Sequence, residues 1–202
     1  MSSIAVTGSA TGTGVISLLA PVTSTNRTLT LPDATGTVAL QGGTGVGKVL
    51  QVVQLNLPAT YSFTTTSMTA ISGFSQAITP TSATSKILVS VSLGKVTNDS
   101  GGISTTAFAF ARDGSLIGVG NAAGARIRST FTVATNADNN HGSGAAFIYL
   151  DSPATTSSVT YSIYAQVSSN TTYINRTVSD YDNTTAYASR TNSTITLMEI
   201  AA

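Results

Sequence analysis

The stretch Q-G-G-T-G-V-G-K-V-L at residues 41–50 has the spacing of a nucleotide-binding loop. Gly42, Gly47 and Lys48 fit the pattern G-x-x-x-x-G-K, in which backbone N–H groups and a lysine hold phosphates. That chemistry also needs a Ser or Thr after the lysine for Mg²⁺, and a helix whose N-terminus faces the phosphates. Val49 follows the lysine, and the residues after it have the pattern of a strand. The flanks therefore favour a glycine hinge over an NTPase.

Titratable side chains that could perform catalysis or bind metal are few. His141 is the single histidine and there is no cysteine, so zinc binding would need a threefold axis that brings three copies together. The alternative is a solvated loop histidine. The turn at residues 180–183 offers oxygen ligands for Ca²⁺ but lacks EF-hand spacing. A glycan-degrading enzyme would need a carboxylate pair, and the candidates are Asp138, Asp151, Asp180, Asp182 and Glu199. No nucleophile motif accompanies them, and we expect no catalytic residue, metal or cofactor.

Three tyrosines, Tyr173, Tyr181 and Tyr187, lie in a polar segment rich in Asn and Thr, residues 168–192. Aromatic faces beside neutral hydrogen-bonding groups suit a sugar, which carries no charge to pair. Tyrosine is also enriched at subunit interfaces. A receptor-binding role and an interface role are therefore both open for these rings.

The composition is polar but almost uncharged. Only 8% of the 202 residues are charged, against about 25% in an average soluble domain. The net charge of +1 gives no field that would attract nucleic acid or an anionic membrane. No apolar run approaches the ~18 residues of a membrane span, and the first residues, M-S-S-I, lack the features of a signal peptide. We expect synthesis in a cytoplasm, with oligomerisation in place of disulfides as a source of stability.

The elements that position these residues are strands. Residues 1–42 contain short extended pieces separated by turns, residues 43–48 form the glycine hinge, and residues 49–202 alternate apolar and polar side chains with period 2. This pattern predicts an all-β chain, with an N-terminal β-strand arm or stalk followed by an antiparallel, jelly-roll-like β-sandwich knob. We predict knob strands at residues 49–55, 86–93, 106–112, 116–119, 127–133, 145–150, 159–165, 172–175 and 195–200.

The segment T-S-T-N-R-T-L-T-L-P-D-A-T-G-T-V-A-L, residues 23–40, resembles a repeat near the N-termini of tailed-bacteriophage fibre and virion surface proteins. The rest of the chain, from residue 48 to residue 200, resembles more loosely the β-rich head domains of phage fibres. The resemblance implies a homotrimer on the virion surface, without catalytic residues, whose N-terminal part docks on other virion proteins. The anchoring residues it implies are Arg27, Leu29, Leu31, Pro32, Asp33, Val38 and Leu40.

For function, the resemblance implies a short tail fibre whose knob attaches to the host surface. Cell-surface glycans are the candidate partners of the knob. The chain has no extended shaft, which departs from long tail fibres. A capsid decoration protein or head fibre is therefore the alternative expectation.

Overall fold

Eleven strands form two antiparallel sheets in the computed structural model, which describes residues 48–135 and 139–202. The predictions for the arm, for its anchoring residues and for most of the hinge concern residues 1–47, outside the described residues. The strands are β1 Val49–Leu57, β2 Tyr61–Phe63, β3 Thr69–Ile78, β4 Lys86–Asn98, β5 Ser104–Arg112, β6 Ser115–Ile117, β7 Phe131–Thr135, β8 Ser143–Asp151, β9 Val159–Val167, β10 Thr172–Ile174 and β11 Ser193–Ile200.

Sheet 1 is organised around β4, its longest strand. β8 pairs with one side of β4 along most of its length. On the other side β11 and β10 follow one another end to end, and β1 and β2 pair in turn with β11 and β10. A strand therefore follows Lys48, as the sequence predicts, where a P-loop would require a helix.

Sheet 2 has the order β3-β9-β5-β6, with β7 following β6 along the same side of β5. Inward-facing residues of both sheets alternate with outward-facing ones, as strands with one buried face require. The predicted antiparallel β-sandwich is thus confirmed for the described residues. The homotrimer stays a prediction.

The core between the sheets consists of aromatic and aliphatic side chains. Phe74, Phe108, Phe110, Tyr161 and Leu197 are each at most 1% exposed. Burying an apolar side chain of this size contributes about 1.5–3 kcal/mol, so the core is large enough to stabilise the sandwich without disulfides.

A stack of three phenylalanine rings closes one side of the sandwich. Phe131 of β7 lies between Phe108 of β5, with ring centroids 5.1 Å apart, and Phe147 of β8, at 5.2 Å. Because β7 belongs to sheet 2 and β8 to sheet 1, the stack joins the two sheets at this side.

Some strand predictions were wrong. β2 and β3 were not predicted, and the strand expected at residues 127–133 begins only at Phe131. The preceding residues close on themselves as a loop, since the N–H of Gly120 donates to the carbonyl of Ser129 at 3.2 Å and the Nε of Arg128 donates to the carbonyl of Gly120 at 2.8 Å. Ile127 is consequently 54% exposed.

The outer face of sheet 1 has an apolar row across β1, β11, β4 and β8. Val52 pairs with Met198, Met198 with Leu88, and Leu88 with Leu150. Val52 is 54% exposed and Leu150 47% exposed. The described residues therefore leave this half of the face open to solvent.

Candidate functional site

The loop between β10 and β11, residues 175–192, lies over the other half of the outer face of sheet 1. β10 and β11 meet end to end beside β4, so the chain leaves the sheet after Ile174 and returns to it at Ser193. Thr97 of β4 is fully buried beneath the loop, and its Oγ1 donates to the carbonyl of Arg176 at 3.1 Å. The loop is therefore packed on the sheet along part of its length.

Asn175 fastens the beginning of this loop. Its backbone has φ +67°, a left-handed conformation that asparagine tolerates. Its buried side-chain amide donates to the carbonyls of Leu57 and Ala59 at 2.7 and 2.8 Å, and its Oδ1 accepts from the hydroxyl of Ser193 at 2.7 Å. One side chain thus joins both ends of the loop to the chain after β1.

The far half of the loop is held by β4. The Nζ of Lys95 donates to the carbonyls of Tyr187 and Ser189 at 2.8 and 3.3 Å, and burial lowers the pKa of Lys95. Beside it, a Cβ on Gly94 would come within 2.5 Å of the carbonyl oxygen of Asn192. The loop can approach β4 this closely only because residue 94 has no side chain.

Asp180 organises the tip of the loop. Its Oδ2 accepts from a guanidinium nitrogen of Arg176 at 3.0 Å and from one of Arg190 at 2.7 Å. The guanidinium of Arg176 also lies 4.1 Å from the ring centroid of Tyr173, a cation–π contact. Two cations shared by one carboxylate fix residues 176, 180 and 190 relative to each other.

A cleft of about 510 Å³ opens at this tip. It is larger than a second cleft of about 260 Å³ near β2 and β3. Tyr181 is 55% exposed there. The side chains around the cleft combine one aromatic ring with planar amide, carboxylate and guanidinium groups, those of Tyr181, Asp182, Asn183 and Arg190, next to Asp180 and Ser189.

The three predicted tyrosines have different surroundings. Tyr181 lines the cleft, whereas one face of Tyr173 is taken by Arg176 and its hydroxyl lies 3.4 Å from an oxygen of Asp99. Tyr187 is 38% exposed, with its ring centroid 6.5 Å from that of His141. Tyr181 is therefore the ring of the three that is best placed to meet a ligand.

Two of the candidate catalytic acids, Asp180 and Asp151, form ion pairs within the fold. Asp180 is held by two arginines as described above, and Asp151 accepts from Arg112 and from the hydroxyl of Tyr161, each at 2.7 Å. Burial, together with the hydrogen bond to Asp151, raises the pKa of Tyr161. Through these contacts Asp151 connects β8 to β5 and β9. Asp138 lies outside the described residues.

Glu199 is a buried carboxylate whose environment could not be read from the sequence. It is fully buried in β11, where Gln51 donates to Oε2 at 2.6 Å and the N–H and hydroxyl of Thr81 donate to Oε1 at 2.7 Å. Burial by itself raises the pKa of Glu199, but these hydrogen bonds outweigh it and lower the pKa to about 2. The carboxylate is therefore charged and ties β1 and the β3–β4 connection to β11.

Within residues 48–135 and 139–202, no group of three or more His, Cys, Asp or Glu side chains is arranged to hold a metal ion. In the same part of the chain no helix is long and apolar enough to cross a membrane.

Comparisons with known proteins add little to this geometry. No protein-family model matches the chain, and no curated protein matches it. Among solved structures, the chain is similar to the VP2 subviral particle of infectious bursal disease virus, with 14% sequence identity and a TM-score of 0.30. The match covers 75% of this chain and 38% of that one, so it spans well under half of the VP2 chain.

Proposed function

We propose that this chain is a non-enzymatic surface protein of a tailed-phage virion, a short fibre whose sandwich attaches to carbohydrate on the host cell. The virion assignment comes from the resemblance of residues 23–40 to phage surface proteins. By the same resemblance, residues 1–42 dock on the particle and the fibre assembles as a trimer.

The observation that carries host attachment is the braced cleft around Tyr181. An exposed aromatic ring offers a flat apolar face for the C–H groups of a pyranose, while Asp182, Asn183 and Arg190 offer acceptors and donors for its hydroxyls. Asp180 and the side chain of Lys95 hold the loop in place, and the carbonyl of Lys95 in β4 accepts from the N–H of Asn175 at 2.8 Å. Little conformational entropy is therefore lost when a ligand binds.

The test is binding of the purified full chain to a panel of immobilised neutral oligosaccharides built from glucose, galactose and N-acetylglucosamine. Replacing Tyr181 by alanine should weaken binding at least about tenfold, equivalent to about 1.4 kcal/mol. Because the ring is more than half exposed, the free energy of unfolding should change by less than about 0.5 kcal/mol.

Ile103→Ala is the matched control, since Ile103 is 84% exposed on the β4–β5 connection, away from residues 175–192 in sequence. It should leave sugar binding unchanged. Equal binding by the wild type and Tyr181→Ala, or no binding to any sugar of the panel, would contradict attachment through this cleft.

A capsid decoration protein is the second candidate. The apolar row formed by Val52, Met198, Leu88 and Leu150 favours it, because a decoration protein needs a face that can dock on the particle. Added to phage heads that lack it, a decoration protein should bind and raise their resistance to heat. A tail fibre should do neither, and the sugar panel should separate the two functions independently.

A further inference from the structure

β8 is an open edge of sheet 1. It pairs with β4 on one side, and among residues 48–135 and 139–202 no strand pairs with its other side. Its nine residues extend for about 30 Å. Edge strands of monomeric proteins usually contain Lys, Pro or a bulge that blocks pairing with another chain. Residues 143–150, S-G-A-A-F-I-Y-L, contain no charge and no proline. The one charged residue of β8 is Asp151 at its end, which is buried and held by Arg112 and Tyr161. The eight residues before it therefore lack the usual protection.

The other edges of the two sheets differ from β8 in this respect. β2 and β6 have three residues each and β7 has five. The register of β3 shifts between Ala70 and Ser75, and that of β1 between Val49 and Gln51. Short and irregular strands are poor templates for pairing. The register between β8 and β4 also shifts, between Leu93 and Val96, but there the additional residue lies in β4 and not in β8. β8 is therefore the long edge strand of the sandwich that has no extra residue of its own.

Apolar side chains remain exposed along the same side of the molecule. Ile148 and Leu150 of β8 are 60% and 47% exposed, and Leu116 and Ile127, on β6 and the loop after it, are 37% and 54% exposed. The contact of Phe131 with Phe147 brings the β6–β7 edge of sheet 2 beside β8. Both sheets thus contribute to one apolar side.

We propose that β8 pairs antiparallel with β8 of a second copy of this chain, which extends sheet 1 across a twofold axis. The residue order of β8 suits this pairing, since its first half has small side chains and its second half large ones. In a register centred on Phe147, Ile148 lies opposite Ala146 of the partner subunit, and Leu150 lies opposite Gly144 of the partner subunit. Each large outward side chain meets a small one, so the strands can approach without a clash between bulky groups.

Charge and area are compatible with this contact. The net charge of +1 produces little repulsion between copies. A side about 30 Å long and about 20 Å thick, the thickness of two packed sheets, would cover roughly 600 Å² per copy, or about 1,200 Å² in all. That is the lower end for stable interfaces. We expect dimers at about 100 µM that dissociate towards 1 µM or below.

The twofold contact goes beyond the proposed function and differs from threefold assembly. A contact of a surface patch with itself closes as a dimer. The full chain at high concentration should therefore have a mass of twice 20.4 kDa, or an even multiple of the chain mass if the N-terminal region also forms trimers. Sugar binding at the 175–192 loop does not depend on it, so either proposal can fail alone.

The first test is sedimentation equilibrium of the full chain and of Ile148→Lys over a range of concentrations. The lysine puts two like charges near the axis and should raise the dimer dissociation constant at least about a hundredfold. Thr160→Lys adds the same charge to an exposed residue on the outer face of sheet 2 and should leave the mass unchanged. Leu150→Lys repeats the test if Ile148→Lys does not fold, as circular dichroism would show.

The second test is amide hydrogen exchange of the wild type as a function of concentration. Peptides from β8 should exchange more slowly at about 100 µM than at about 1 µM, whereas peptides from β3 should not. A wild type that stays a single chain at the higher concentration overturns the proposal. So does any oligomer, a trimer included, whose mass the β8 lysines leave unchanged.

Discussion

At the scale of single residues, the buried carboxylate of Glu199 is the least expected group in the chain. A charged side chain in a core normally destabilises the fold. Here the donors from Gln51 and Thr81 outweigh that cost, because a carboxylate that accepts several hydrogen bonds is favoured in its charged form. The alternation of β11 predicts that Glu199 faces inward, but nothing in the sequence pairs it with residues that lie over a hundred positions away.

We predict that Glu199 makes the stability of the sandwich pH-dependent below about pH 4.5. Its pKa falls from 4.5 in the unfolded chain to about 2 in the fold. A carboxylate with a lowered pKa stabilises the fold above its unfolded pKa, and the stabilisation is lost as the pH falls towards 2. The loss by pH 2 should be roughly 3 kcal/mol, since the two pKa values lie about 2.5 apart and one pKa unit corresponds to about 1.4 kcal/mol.

Urea unfolding of the wild type and of Glu199→Gln at several pH values measures this effect. The difference in unfolding free energy should be largest near pH 6 and should shrink towards pH 2, where Glu199 becomes protonated. Asp182→Asn, at an exposed acid of the cleft, is the control and should differ little from the wild type at either pH. A constant difference between the wild type and Glu199→Gln at all pH values would contradict the prediction.

At the scale of elements, the regular strands could be predicted and the irregular ones could not. β9 and β11 alternate without interruption, and the sequence places both. In β3 the buried residues are Ile71, Phe74 and Ile78, a spacing of three and four that imitates a helix. The cause is an irregularity at Gly73, with φ +82°, where the register against β9 shifts. A strand is predicted from strict alternation of inward and outward side chains along its whole length. An irregularity such as the one at Gly73 breaks this alternation, so β3 could not be predicted.

The candidate site was predictable to the same limited extent. Composition and aromatic content single out residues 168–192, and Tyr181 belongs to that segment. The groups that hold the loop, Lys95 and Asn175, act through backbone carbonyls distant in sequence. Any lysine or asparagine could make such bonds, so their identity carries no signal before the fold is known.

We predict that Gly94→Ala loosens the 175–192 loop from the sheet. The added Cβ would lie 2.5 Å from the carbonyl oxygen of Asn192 and 2.6 Å from the hydroxyl of Thr191. Backbone and side chain must shift, at a cost of about 1–3 kcal/mol. Denaturant unfolding should report the loss, and faster amide exchange in peptides from residues 175–192 should locate it.

Gly120→Ala is the control for this change, because no atom lies within 4 Å of a Cβ built there. It should leave stability and exchange of the loop close to those of the wild type. Unchanged exchange in Gly94→Ala would mean that the loop is not fastened at this point of β4.

At the scale of the whole molecule, the stability of the sandwich depends mainly on burial and hydrogen bonding. The ion pairs between side chains of the described residues join Arg112 to Asp151, and Arg176 and Arg190 to Asp180. Arg190 is more than half exposed, so its pair with Asp180 contributes about 0–1 kcal/mol. The pairs of Arg112 and Arg176 are more buried, and salt screens buried pairs much less. The chain as a whole is only 8% charged. Added salt should therefore change the stability of the sandwich little through screening of its charges.

We predict that the free energy of unfolding changes by less than about 1 kcal/mol between about 0.05 and 1 M NaCl. Ammonium sulfate should instead raise it, because sulfate strengthens the burial of apolar surface. Urea titrations in the two salts make the comparison. A loss of several kcal/mol in NaCl would show that charge pairs contribute far more than this account allows.

The two ends of the described sandwich meet at one corner, where the N–H of Ala201 donates to the carbonyl of Lys48 at 2.8 Å. From that corner β1 and β11 run side by side, held by an antiparallel ladder. A force that pulls Lys48 and Ala201 apart would break the hydrogen-bonded pairs of β1 and β11 one after another, starting from this corner. The sandwich should therefore yield mechanically at low force when pulled from this corner. A force between Lys48 and the 175–192 loop would act along β1 and β11. It would strain many hydrogen bonds of sheet 1 at the same time, so a larger force should be needed.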